Sequence, residues 1–276
     1  MIELHEKTVV VTGAGRGIGR AVAGYLAELG ANVVVNDLDT ALLNSLVDNI
    51  SAQGGKAFAV AGSVSDWSFA TRLIEAAQNT FGGLDALINN AGLHYVSEPR
   101  NESAQTIKQL VEVNVLGSIY CGLAALKVFN QQARGSLINL TSAAHLGVEN
   151  QAVYSASKGA IASLTYSWSL DAKPYGVRVN AIAPLADTRM IDALPQFRTD
   201  DLQAAIAMGP LFAYLVSERS AFISGQLIRF NGKELSLINH PQISDARIAH
   251  PHWDVAKMHE VFSQQLQSHF SATGIQ

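Results

Sequence analysis

Cysteine is nearly missing from these 276 residues: Cys121 is the single one. No disulfide can close within the chain, and a reducing compartment is the simpler setting. Also missing is any charge excess of the kind that marks a nucleic-acid binder; the net charge is -4, with 15% charged residues. No apolar run approaches the ~18 residues needed to span a bilayer. Met1 to Lys7 lead straight into a strand, without a basic-then-apolar leader. Internal repeats, low-complexity segments and linkers are absent as well. The expectation is a cytoplasmic protein without nucleic-acid or membrane partners. What is plentiful is apolar side chain, 48% of residues, enough for a large core in one α/β domain.

The run Thr8-Val9-Val10-Val11-Thr12 has the β-branched character of a strand buried in a parallel sheet. It enters Gly13-Ala14-Gly15-Arg16-Gly17-Ile18-Gly19, after which Arg20 to Leu29 read as a helix closed by Gly30. Strand, glycine turn and helix in that order make a dinucleotide site. The glycines admit the pyrophosphate close to the backbone, and the helix N-terminus offers unpaired N–H groups. The next strand, Asn32 to Asp37, ends in an acid 18 residues after Gly19. A carboxylate there accepts from ribose hydroxyls and repels a 2′-phosphate, favouring NAD over NADP. Arg16 argues the other way, because a guanidinium pairs with phosphate.

Further strands are expected at Lys56–Val60, Leu84–Asn89, Ser136–Ser142, Val177–Ile182 and Gln226–Phe230, with helices between them. Asp66 has the position of an N-cap for a helix through Phe81. One helix is expected from about Ser103 to Gln132, carrying Asn114 mid-way. Asn90-Ala91-Gly92 and Ser142 fall at carboxyl ends of strands, where open α/β sheets hold ligands. Residues 185–210 break the strand–helix rhythm and are expected to form a lid. The tail, 233–276, holds His240, His250, His252, His259 and His269. His250 and His252 have no acidic or cysteine partner at ligand spacing, so no metal site is expected. Helical spacing from Asp254 to Phe270 is expected to pack on the body or on another subunit.

Tyr154 and Lys158 are spaced i, i+4 on a helix and therefore share a face. A phenol titrates near ~10, too high for proton shuttling at neutral pH. An ammonium one turn away stabilises the phenolate and is expected to lower that value. The pair is a candidate general acid/base.

Thr12 to Gly19, Asn89-Asn90-Ala91-Gly92, Asn114, Ser142 and the Tyr154/Lys158 pair together resemble the classical short-chain dehydrogenases/reductases, over roughly residues 7 to 232. The resemblance implies a doubly wound, Rossmann-type α/β fold with a seven-stranded parallel sheet. It makes 1–232 the catalytic domain and 233–276 a C-terminal extension. It implies that Tyr154 exchanges a proton with the substrate oxygen and that Ser142 donates to that oxygen. Lys158 would hold the nicotinamide ribose, and Asn114 a water leading from Lys158 to solvent. Gly13, Arg16, Gly17, Ile18, Gly19, Asp37, Ser63, Val64, Asn90, Ala91, Gly92, Tyr154, Lys158, Pro184 and Thr188 would line the dinucleotide. The long helices at 103–132 and 152–173 would form a homotetramer or homodimer.

Three positions depart from the family pattern. Ser63 replaces an acid that contacts adenine, Leu185 replaces a glycine after Pro184, and the Ser142–Tyr154 interval is one residue short, leaving Thr141 as a minor alternative to Ser142. His94, His145, Leu185 and Met190 are expected to face a mostly apolar substrate pocket. The reading is an NAD(H)-dependent oxidoreductase interconverting a secondary alcohol and a ketone. Alternatives are an NADPH-dependent ketone or 3-oxoacyl thioester reductase, and a non-catalytic dinucleotide-binding sensor.

Overall fold

The computed structural model describes residues 4–184 and 203–271. The valine-rich runs form strands β1 (Thr8–Thr12), β2 (Asn32–Asp37), β3 (Lys56–Ala61), β4 (Ala86–Asn89), β5 (Gly135–Leu140), β6 (Val177–Pro184) and β7 (Leu227–Phe230). They pair in parallel in the order β3-β2-β1-β4-β5-β6-β7. The order reverses between β1 and β4, and the carboxyl ends of those strands frame a crevice there.

Alternation along each strand feeds two cores. Val9, Val11, Val33, Val35, Ile88 and Ile138 face α1 (Gly17–Glu28), α2 (Thr40–Ala52) and α8 (Gly209–Val216). Val10, Val34, Leu87, Leu137 and Val179 face α3 (Trp67–Phe81), α5 (Ser118–Gln132) and α6 (Ala152–Ala172). Asp66 caps α3 as expected, its Oδ1 accepting the Ser68 and Phe69 amides at 2.8 and 3.2 Å. The stretch 104–132 is long and apolar enough to cross a membrane, but Cys121, Ala125 and Phe129 within it belong to the buried core.

Two features correct the expectations. The helix expected from 103 to 132 is interrupted: α4 (Ala104–Val111) passes into a π-turn, Glu112–Gly117, before α5. Such turns accommodate an extra residue and turn a side chain outward to other partners, here Asn114. The sheet also has an eighth strand, β8 (Leu235–Ile238), antiparallel to β7 with Phe230 opposite Leu235. Between them Asn231 Oδ1 accepts the Lys233 and Glu234 amides, and Gly232 takes φ +87. The extension therefore begins as part of the sheet. Further on, Asp254 caps α9 (Val255–Val261) by accepting the Lys257 amide. A short helix α7 (Gln203–Ala207) precedes α8, and 185–202, most of the expected lid, lies outside the described residues.

Helix α6 is seated by Trp168, whose ring occupies the place of a Cβ on Gly122 of α5. In an open helix Gly→Ala gains ~1 kcal/mol. Here the methyl would overlap the indole, and overpacking costs about 1–3 kcal/mol. Gly122→Ala should therefore lower the urea midpoint; a raised midpoint would contradict this packing.

Candidate active site

The glycine turn is packed too tightly for side chains. A Cβ on Gly13, which takes φ +63, would lie 2.8 Å from Ala91 Cα, and one on Gly19 would meet Asn90 Nδ2 and the Gly13 carbonyl. Gly17 takes φ +56 and starts α1. Asn90 fastens the turn to β4, donating to the Thr12 and Gly13 carbonyls at 2.8 and 3.0 Å. Thr12 Oγ1 accepts the Asn90 and Ala91 amides, both at 3.0 Å. Helix α1 starts at Gly17, and its N-cap residue Arg16 makes no side-chain bond to the first-turn amides. Those amides suit a pyrophosphate.

At the end of β2, Asp37 Oδ2 accepts the Gly15 amide at 2.9 Å and Oδ1 the Leu38 amide at 2.8 Å. Its carboxylate is thereby held beside the turn. Arg16 Nη2 lies 3.8 Å from Asp39 Oδ2, so a second acid faces the guanidinium. Ile18 packs on the core below. Ser63 Oγ is 2.7 Å from Ser65 Oγ and accepts the Ser65 amide, so its hydroxyl works within its own turn. Val64 is buried against Gly117 of the π-turn.

Tyr154 and Lys158 come together on α6, the Lys158 ammonium 5.7 Å from the phenol ring centroid. Lys158 Nζ donates to the Leu140 carbonyl at 2.8 Å. Thr141, also considered for the hydroxyl role, is buried and donates to the Lys158 carbonyl at 2.8 Å. Ser142 remains: its Oγ accepts the Ala144 amide at 3.1 Å, and its hydrogen bond to Tyr154 lowers the phenol's pKa. Burial nevertheless dominates, pushing Tyr154 up to about 12 and bringing Lys158 down to about 8. The lowering of the phenol expected from the lysine is not found; burial raises it, and the lowering contribution comes from Ser142.

Asn114, expected midway along a regular helix, lies in the π-turn, which lets its side chain reach other elements. Oδ1 accepts the Leu93 amide at 2.7 Å, while Nδ2 donates to the Leu93 carbonyl at 2.9 Å and to Ser157 Oγ at 3.1 Å. Both amide hydrogens are used in bracing. Between Asn114 and Lys158 sits Gly92, where a Cβ would lie 3.4 Å from Asn114 Oδ1 and 3.7 Å from Lys158 Nζ. Gly92 keeps that space open.

Of the expected pocket residues, His94 meets Tyr154 ring to ring, and His145 Nδ1 donates to the Ser142 carbonyl at 2.5 Å, turning back on its own loop. Pro184 ends β6; Leu185, Thr188 and Met190 lie outside the described residues. The sequence reading missed Gln151, Ser157 and Asn139. Gln151 and Ser157 sit three and three positions from Tyr154 on either side, a spacing that placed them near it. Asn139 links α6 to β4 by donating to Thr165 Oγ1 and accepting from Asn89, each at 3.0 Å. Among the described residues no three His, Cys, Asp or Glu side chains form a metal site.

Burial of Lys158 has a stability consequence. Its pKa falls from 10.5 to about 8, so below about 8 the folded chain holds a desolvated ammonium that unfolding would rehydrate. Between about 8 and 10.5 the unfolded chain binds more protons than the folded one, and that cost disappears as pH rises. Lys158→Met should therefore have its largest advantage in thermal midpoint near neutral pH, shrinking as pH rises through that window. A difference from wild type that is constant with pH would contradict the assignment.

Residues 7–198 match the family described as short chain dehydrogenase. The meso-2,3-butanediol dehydrogenase of Serratia marcescens is 32% identical over 255 residues, covering 88% of this chain and 100% of the relative. The 3-oxoacyl-(acyl-carrier-protein) reductase of Staphylococcus aureus is 32% identical over 238 residues, 82% of this chain and 97% of the relative. A crystal structure of a short chain dehydrogenase from Mycobacterium avium has TM-score 0.84 at 35% identity, covering 96% of each chain. That likeness reaches into the extension beyond residue 232. In sequence and in fold, the chain belongs to the short chain dehydrogenase family, oxidoreductases acting on CH–OH groups of small molecules.

Proposed function

We propose that this enzyme uses NAD(H) to interconvert a secondary alcohol and a ketone of moderately hydrophobic character. The observation that carries the chemistry is the buried Tyr154–Lys158 pair beside Ser142, at the carboxyl ends of β4 and β5. The observation that favours NAD is the pair of acids at the end of β2. Asp37 is held where ribose hydroxyls would come, and Asp39 faces the Arg16 guanidinium, which could otherwise receive a 2′-phosphate.

The glycine turn and the amides of α1 would hold the pyrophosphate, Asp37 the adenosine ribose, and Lys158 the nicotinamide ribose. Bound nicotinamide supplies the hydride acceptor for oxidation and the donor for reduction. Tyr154 takes the hydroxyl proton of an alcohol, or returns it to a ketone oxygen. The Ser142 hydroxyl oxygen accepts the Ala144 amide, and its hydrogen, given to Tyr154 in the structure, would turn to the substrate oxygen and the charge that grows there. Lys158, cationic below about 8, stabilises the phenolate left when Tyr154 gives up its proton. Relatives named for a butanediol and for a 3-oxoacyl group support this reaction class from two sides.

The second reading, an NADPH-dependent 3-oxoacyl thioester reductase, draws on Arg16 in the glycine turn and on the named reductase relative. Nicotinamide fluorescence on titration with NADH and NADPH separates the two. Tighter NADH binding is expected, and tighter NADPH would transfer the assignment to the reductase. Tyr154→Phe should bind NADH like wild type yet lose about 10²–10⁴-fold in turnover, the usual worth of a positioned acid/base. Retained turnover would contradict the role of Tyr154. NADH binding by wild type without turnover of any alcohol or ketone would leave a sensor.

A further inference from the structure

Resting on the reading of Tyr154 as the acid/base, we infer that His94 is the positioning residue that sets the phenol's orientation. The imidazole stands edge-on to the Tyr154 ring, with centroids 4.5 Å apart and planes at 88°. This is the perpendicular geometry that aromatic quadrupoles prefer. The ring packs in a cluster with Leu110, Ala144, Tyr95, Val148 and Val153, Ser142 bonds the phenol, and the Lys158 ammonium lies 5.7 Å from the ring centroid; against these, His94 supplies the edge-on contact that sets the plane of the ring.

His94 is itself held from two directions. On the chain side, Asn114 grips both the amide and the carbonyl of Leu93, so the next residue leaves a fixed peptide. On the ring side, Nε2 lies 3.0 Å from Gln151 Oε1. An amide oxygen only accepts, which places a proton on Nε2 and selects the tautomer. Gln151 is 3% exposed and directly precedes α6, where its carbonyl accepts the Ser155 amide at 2.8 Å. The imidazole is therefore tied to the same helix end that carries Tyr154. The π-turn, the loop after β4 and the start of α6 converge on one phenol through one histidine.

A phenol that transfers a proton must keep its oxygen within hydrogen-bond reach of Ser142 and of the substrate oxygen. Misplacement by about 1 Å costs about 10²-fold in rate. His94→Ala is expected to lower kcat about 10- to 100-fold with KM nearly unchanged. His94→Phe keeps a ring edge against Tyr154 and should restore most of that loss. Gln151→Leu removes the tether but not the ring and should fall between them. A second readout needs no cofactor or substrate: the 13Cζ resonance of Tyr154 in the ligand-free protein, assigned by its disappearance in Tyr154→Phe. It should be a single sharp line in wild type and His94→Phe, and broadened or split in His94→Ala.

A loss confined to KM would make His94 a substrate contact and overturn the inference, as would an unchanged Tyr154 line in His94→Ala. If wild type turned over no alcohol or ketone, the oxidoreductase reading would fall, and the resonance would still decide whether His94 orients the phenol.

Discussion

The hydrogen bonds of Asn114 are the constraint on which the site depends. A regular helix from 104 to 132 would point this side chain along its own surface. The π-turn at Glu112–Gly117 lets the amide reach Leu93 on the loop after β4 and Ser157 on α6. Three elements that are far apart in sequence are joined by one side chain that is 1% exposed. Breaking such a brace leaves buried donors and acceptors unmatched, at about 1–3 kcal/mol each. That penalty is what makes the arrangement specific. Ser157 Oγ in turn donates to the Tyr154 carbonyl at 2.7 Å, so the brace ends at the proposed acid/base.

A second set of buried asparagines does similar work for the sheet. Asn36 closes the loop after β3 by donating to Val60 and Gly62, and Asn180 holds the approach to β7 through Ile223 and Gln226. Asn89 and Asn139 connect β4, β5, α5 and α6. All four lie in the parallel strands, and Asn89, the last residue of β4, borders the crevice where β1 and β4 diverge. Within it, desolvation dominates the electrostatics: it disfavours charge on both Tyr154 and Lys158, and sets them apart at about 12 and about 8.

Much of this was legible in the sequence. Continuous β-branched runs mark buried parallel strands, and β1 and β2 have the expected bounds. Thr12 to Gly19 could be placed because strand, glycine spacing and helix agree, and Asp66 because a cap precedes an apolar periodicity. Asn114 was legible through the resemblance, but its bracing role was not, since a π-turn leaves no periodic trace over six residues. β8 was missed because Leu235–Ile238 is a four-residue run, although Asn231-Gly232 before it is a hairpin signal. The i, i+4 spacing of Tyr154 and Lys158 located the pair, but not its depth, and depth reversed the expected direction for the phenol. The bond between the Ser63 and Ser65 hydroxyls, two residues apart in one turn, is a detail that spacing alone does not reveal.

Hydrogen exchange on Asn114→Ala, followed by mass spectrometry without ligands, tests the brace most directly. The account predicts faster exchange in two segments together, the loop around Leu93 and the start of α6, with the glycine turn at 13–19 unchanged. Acceleration across the whole chain, or none in those two segments, would contradict a site assembled by this one side chain.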